Sequence, residues 1–451
     1  ELLAPGLTVP PCDERVRDRL YFHVTEAGYK LKRGMMRRHR FLLSRPDAPA
    51  APQLYRNPAY ADVPVRYAAG CLWYAPERTM SERYVDFSRR TLDAYQRQRD
   101  QSAAFGFLNF GDWFGERGEN WGNGEYDTTY GLLLQYVRTG ERTWLELGTH
   151  AARHLLEVDT LHASDAYRAW QVPHAMGHTG GYFPEGYRVG AYGPSPTPNT
   201  AHTWVEGILL YYQLTGDRLA LATVTTLLDD LCGAKLETKA FTNGRDVGWH
   251  LIHLVAGAAV LRSPTYLAGA QELVRLALAR QRSDGSWRRV LKSDHCTCYP
   301  KHTGNAGFMI GVLLEGLAKY EELTGDPAVE QAIVAGGAFL GRELLDADQK
   351  QFRYTSCPKS RAGLGVNDLH LLVPMYHALT LAEADADPDR RALYMELLAE
   401  VLARYVARIS EDYAATRFQE AFGKTLSKAM RLVPWGLALA SVPAGPLPRP
   451  S

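Results

Sequence analysis

The stretch GLLLQYVRTGERTWLELG (131–148) returns as GILLYYQLTGDRLALATV (207–224) and again as GVLLEGLAKYEELTGDPAVEQAI (311–333). Each version is an apolar helix that ends in Thr-Gly and an acidic residue, with a second helix starting at once. Gly140, Gly216 and Gly325 suit the left-handed position that closes a helix. The acidic residue after each, Glu141, Asp217 or Asp326, stands where it can cap the next helix. The repeating unit is therefore a helical hairpin, and about six such units account for the chain beyond residue 80.

Apolar spacing of three and four residues, as in Leu132, Leu133, Tyr136 and Val137, extends the reading outward. It predicts helices over 81–98, 125–139, 142–157, 200–215, 217–233, 246–261, 264–282, 303–323, 327–343, 367–385, 388–408 and 429–441. Connections of one kind are short: 139–142, 215–217, 261–264, 323–327 and 385–388. Those of the other kind are long: 99–124, 158–199, 283–302, 344–366 and 409–428, with only 234–245 intermediate. Loops longer than about 12–15 residues in a compact domain are usually functional. This asymmetry predicts a mainly α chain folded as an (α/α)6 toroid over 76–445, with an open solenoid as the alternative. Residues 1–75 read as a β-rich N-terminal segment and linker, with strands Leu20–Thr25 and Tyr29–Leu43 and a Pro/Ala stretch near Asp47–Pro52. The basic run Arg37–Arg40 reads as a solvated strand face rather than an anion site.

The chain has 451 residues, 51 Lys plus Arg against 50 Asp plus Glu, and a net charge of +1, which argues against a partner bound by phosphate neutralisation. No apolar run reaches the roughly 18–20 residues of a membrane span. Six Cys rule out a disulfide scaffold. A neutral, Cys-poor chain fits a cytoplasmic location, although removal of a secretion signal would leave the same sequence. The start at Glu1 reads as a chain that is processed or cut from something longer. Neither a P-loop, nor a GxGxxG between strand and helix, nor a GxSxG elbow is present, so nucleotide chemistry and an α/β-hydrolase are disfavoured.

The long loops carry the chemistry. NFGDWFGERGENWGNGEYD (109–127) holds Asp112, Trp113, Asn120, Trp121, Asn123, Glu125, Tyr126 and Asp127 among five glycines. Trp with Asn and Asp is a sugar-recognition set, stacking plus hydrogen bonds to hydroxyls. For Asp127, a helix-capping role stands level with a functional one. The stretch 170–207 holds His174, His178, Tyr187, Arg188, Asn199, His202 and Glu206. His202 and Glu206 are four residues apart, one helical turn, so the carboxylate can orient the imidazole and raise its pKa. NGRDVGWHLIH (243–253) places Arg245, Asp246 and His250 at a helix start. SDHCTCYPKHTGNAG and YTSCPKSRAGLGVND bring His295, Cys296, Cys298, His302, Tyr354, Cys357, Arg361 and Asn367 onto neighbouring loops. Cys296, Cys298 and Cys357 could hold zinc, but Cys-x-Cys is a weaker pattern than paired CxxC, so buried free thiols and no cofactor are the default expectation.

AHTWVEGILLYYQLTGD (201–217), WGNGEYDTTYGLLLQYVRTGE (121–141) and GYKLKRGMMRRHRFLL (28–43) resemble the exo-rhamnogalacturonan lyase family. The resemblance runs from about residue 28 onward and implies an (α/α)6 toroid whose flanking β-domains are truncated here. It further implies β-elimination beside a uronic acid, a carbohydrate partner and an exo mode. That chemistry needs a group to neutralise the carboxylate, a base for the C5 proton and an acid for the leaving oxygen. On this reading His202, backed by Glu206, is base or acid, with Tyr187 or Tyr126 as its partner. Arg361, Arg188 and Asn199 bind the carboxylate. His174, His178 and His250 line the cleft, with His178 a further catalytic candidate. Trp113 and Trp121 stack on the sugar, and Asn120, Asn123, Glu125, Asp127 and His302 bind substrate. The rivals are a hydrolase using two of Asp112, Glu125, Asp127 and Glu206, a zinc-thiolate glycosidase with a Cys nucleophile, and a toroid that only binds carbohydrate. The same fold serves all of them.

Overall fold

The computed structural model describes residues 34–38, 43, 45, 82–101, 112, 122–162, 169–171, 199–382, 387–410 and 422–441. Most of the expected N-terminal β segment lies outside the described residues. Twelve helices of ten or more residues make up the described part. They are α1 (Glu82–Gln101), α2 (Thr128–Thr139), α3 (Arg142–Glu157), α4 (Glu206–Thr215), α5 (Arg218–Cys232) and α6 (Gly244–Leu261). The rest are α7 (Pro264–Arg280), α8 (Gly307–Thr324), α9 (Pro327–Leu344), α10 (Leu369–Leu381), α11 (Pro388–Arg408) and α12 (Lys424–Ser441).

Helices α2, α4, α6, α8, α10 and α12 touch in that order, and α12 packs back on α2. That closure makes a ring and discards the open solenoid. Helices α3, α5, α7, α9 and α11 each lie against the inner helix that precedes them, and α1 packs on α11. The two layers differ as burial demands. Every residue of α10 except Leu379 and Leu381 is buried, whereas α11 buries Tyr394, Leu397, Leu398, Val401, Leu402 and Tyr405, one stripe at helical spacing. Inner helices also approach closely. A Cβ on Gly311 would stand 1.5 Å from the carbonyl oxygen of His370, so only glycine fits there.

The short turns behave largely as the repeat implies. Gly140, Gly216 and Gly325 have φ of 70°, 67° and 66°, and their N–H groups bond back to Tyr136, Tyr212 and Glu321. Asp217 and Asp326 cap α5 and α9, but Glu141 makes no side-chain cap to α3. The anticipated solvated face at Arg37–Arg40 is corrected at Arg38, which pairs with Glu157 at 3.1 Å and Asp217 at 2.8 Å and so clamps the ends of two hairpins.

Every long connection precedes an inner helix, so the described residues that lead into these helices gather at one end of the ring. Three of these connections carry short antiparallel pairings: β1 (Thr160–Leu161) with β2 (Trp170–Gln171), β3 (Arg289–Val290) with β4 (Thr303–Gly304), and β5 (Leu345–Asp346) with β6 (Gln351–Arg353) and then β7 (Ala362–Gly363). No helix among the described residues is long and apolar enough to cross a membrane.

Burial of a histidine sets a pH response. His377 is buried against Trp435, and neither ring nitrogen has a hydrogen-bond partner among the described residues. Burial pushes its pKa down to about 4 from the ordinary 6.5. Between those values the unfolded chain binds the proton and the folded one does not, so stability falls as pH drops through this window. His377→Phe should remove up to about 3 kcal/mol of that acid sensitivity. Denaturant unfolding of both proteins at pH 7 and pH 4.5 checks it; parallel losses would refute the assignment.

Candidate functional site

The segment Gly122–Asp127 enters α2 through an unusual backbone. Asn123, Gly124, Tyr126 and Asp127 all have positive φ, at 47°, 65°, 66° and 57°. A left-handed conformation is costly for a bulky residue such as Tyr126, about 1–3 kcal/mol each, and persists only where its surroundings force it. They do so here. The Trp204 indole N–H donates to the Asn123 carbonyl at 3.0 Å. Asp127 accepts the N–H of Tyr130 at 3.1 Å and of Gly207 at 2.9 Å, latching α2 to α4. Burial first, then the field of Glu206, pushes the Asp127 pKa up to about 6, against the pull of Arg431 and the two N–H bonds.

This strained segment aims Tyr126 into a ring of aromatic and cationic groups. Its phenol ring lies 5.1 Å from the His370 ring and 6.4 Å from Trp204. The Lys428 ammonium sits 4.2 Å above the ring centroid, and the Arg245 guanidinium sits 5.3 Å from it. Arg245 also reaches Glu125 at 3.3 Å, and Glu125 lies 4.0 Å from His202 Nδ1. Burial alone would lower the Arg245 pKa, but Tyr126 and Glu125 outweigh it and hold the guanidinium firmly charged. Lys428 donates to Asn367 at 2.6 Å. One wall is aromatic: Phe308 stacks on Tyr354 at 5.5 Å, and His295 stands edge-on to Tyr354 at 5.6 Å. Half-exposed Tyr354 marks the open side. All these groups come from the loops before inner helices or from the first two turns of those helices.

No family model matches the chain, and no curated protein matches it in sequence. Solved structures do. A glycosyl hydrolase family 88 protein from Bacteroides vulgatus superposes with a TM-score of 0.53 and 12% identity, over 80% of this chain and 99% of that one. A polysaccharide lyase superposes with a TM-score of 0.50 and 12% identity, over 81% of this chain and all of the other, 100%. The chain is an (α/α)6 toroid.

The toroid corrects several sequence expectations. His202 and Glu206 do not share a helix. Asn199 caps a single 3-10 turn, Thr200–His202, and Thr203 is extended at φ −116° and ψ 139°. The break lets Trp204 bury and bond Gln171 at both its N–H, 2.6 Å, and its carbonyl, 2.9 Å. Glu206 then points into the ring centre, paired with Lys319 and Arg431, and these partners hold its pKa down against burial. The carboxylate beside His202 is Glu125 instead. Asn199 spends its side chain capping Ala201 N–H. His250 does not line the cleft: it is fully buried and bonded to the Leu231 carbonyl at 2.9 Å. For Asp127 the structure displays the capping role. Asn123 is buried and contributes its backbone, Arg361 is exposed beyond Tyr354 on the β6–β7 hairpin, and His302 is half-buried with its N–H on Cys296. Tyr187, His174, His178, Arg188, Trp113, Asn120 and Trp121 lie outside the described residues. Lys428 and Phe308 were missed. Both sit near the starts of inner helices, the one signal that could have found them.

Two groups among the described residues are spaced to hold a metal: Cys296, Cys298 and Cys357, and Asp112, His154 and Asp159. The second is buried, with His154 Nε2 3.7 Å from Asp112 and 3.5 Å from Asp159. In the first, N–H groups of His302 and Cys298 point at Cys296 Sγ and pull its pKa down to about 7.

Proposed function

We propose that the toroid is a carbohydrate-active enzyme, an exo-type lyase that cleaves uronic-acid-containing poly- or oligosaccharides by β-elimination. Its likeness in fold to a glycosyl hydrolase and to a polysaccharide lyase supports a carbohydrate substrate. The observation that carries the reaction type is the placing of two cations, Arg245 and Lys428, within 5.3 Å of the Tyr126 ring centroid, with the His202–Glu125 pair adjoining.

A uronate carboxylate held by Arg245 and Lys428 has its charge offset, which acidifies the C5 proton and stabilises the enolate-like charge that follows, commonly by several kcal/mol. The six inner helices also turn their positive ends toward this mouth. His202 takes the C5 proton, with Glu125 setting its orientation. The electron pair forms C4=C5 as the C4–O4 bond breaks, and Tyr126 gives its proton to the departing oxygen. Exchange with water restores both groups. Arg245 and Lys428 thus take the work assigned from sequence to Arg361, Arg188 and Asn199.

A two-carboxylate hydrolase fits the described residues less well. Asp127 is committed to two backbone N–H groups, Glu206 to two cations and Glu125 to Arg245, while Asp112 is buried beside His154. The test is ultraviolet absorbance during incubation with a panel of uronic-acid polysaccharides and oligosaccharides. A rising signal from the conjugated C4=C5 bond is expected. New reducing ends without absorbance would overturn elimination in favour of hydrolysis.

A further inference from the structure

We propose that Cys296, Cys298 and Cys357 form a zinc site that pins the β3–β4 loop to the β6–β7 hairpin behind the aromatic wall of the mouth. Cys357 Sγ lies 3.4 Å from Cys296 Sγ and 3.6 Å from Cys298 Sγ, and all three sulfur atoms fall within 4.8 Å of one another. Thiolates bound tetrahedrally to zinc at about 2.3 Å are separated by about 3.8 Å. The observed triangle is thus close to the face of a zinc tetrahedron. All four cysteines among the described residues are free, and the fourth, Cys232, lies elsewhere against α7.

The surroundings are those of metal-bound sulfur. Cys296 and Cys357 are buried, and with Leu291 they form a small apolar cluster apart from the main core, on which Cys298 packs. Cys296 Sγ receives two backbone N–H groups, from Cys298 and His302, each at 3.4 Å. Lys301 folds its ammonium back onto the Cys296 carbonyl at 2.5 Å, bringing positive charge beside the set. Soft sulfur donors select zinc over the hard cations that prefer oxygen. Three protein donors leave a fourth position to water or another exchangeable ligand.

The position explains what the ion would do. Tyr354 stands three residues before Cys357 and His295 one before Cys296. Thr355 joins the two loops by donating to the His295 carbonyl at 3.2 Å, and it bridges to Ala306 at the entry to α8. Closing the three sulfurs on one ion fixes His295 and Tyr354, two of the three aromatic residues of the wall.

The test is metal analysis of the full chain, purified without chelator or added metal. About one zinc per chain is expected in the wild type, and at least a tenfold loss in Cys298→Ser and in Cys357→Ser. Cobalt(II) titration of the chelator-stripped wild type guards against variants that do not fold. It should give a thiolate-to-cobalt absorption band that saturates at one equivalent and is displaced by zinc. A wild-type chain with neither zinc nor a cobalt band, or with a disulfide among the three by mass spectrometry, would overturn the site. None of these readouts uses the lyase assay, so the two proposals fail separately.

Discussion

Replacing Arg431 with methionine lowers stability by about 3–5 kcal/mol, the usual consequence of stripping one partner from a buried ion pair. Arg431, on α12, pairs with Glu206 of α4 and lies 2.6 Å from Glu315 of α8. Lys319, one turn after Glu315, completes a set of two carboxylates and two cations, all buried at the ring centre. The guanidinium also packs against Tyr130 at 4.8 Å and Trp249 at 4.9 Å. Methionine fills the space but leaves two buried carboxylates facing one lysine. The loss spreads to the mouth, because Arg431, with two backbone N–H groups, restrains the upward shift of Asp127, the latch on the strained loop. Thermal unfolding should fall by about 5 °C for a protein this size. Adding Glu206→Gln restores charge balance and should recover part of the loss. An unchanged midpoint in Arg431→Met, or a double variant worse by the sum of both changes, would show that the four charges do not act as a unit.

Replacing His202 with alanine slows appearance of the unsaturated product by about 10²- to 10⁴-fold, the usual range for general acid–base assistance. The thermal midpoint stays put, since His202 is only half-buried and belongs to a single 3-10 turn. Arg245→Gln should cost as much on uronate substrates and far less on their methyl esters, which carry no charge to neutralise. That contrast separates charge stabilisation from a role in packing, which would depress both substrates alike. His202→Ala with full activity would remove the imidazole from the mechanism.

The hairpins were legible because their signals are local. Gly216 closes one helix, Asp217 caps the next, and an apolar stripe follows within one turn. The choice of face was legible too, since long connections before α2, α4, α8 and α12 have to open on one end. Partnership was not. The break at Thr203 depends on Trp204 finding Gln171 and Asn123, residues brought close only when the ring forms. Without that break His202 and Glu206 look like neighbours; with it, each turns to a carboxylate or cation on another hairpin.

The sequence by itself determined the elements: their period, their caps, their pairing into hairpins and the crowding of His, Tyr, Trp and acids into the loops of one end. Those properties rest on interactions within about a turn of helix, which the chain order already contains. Only the tertiary structure decided which charges meet. Lys428 over Tyr126, Glu125 beside His202 and Arg431 between Glu206 and Glu315 join residues far apart in the chain. Ring closure sets those distances, and over a few ångströms in a water-poor interior distance decides whether an acid is a catalyst, a cap or a counter-ion.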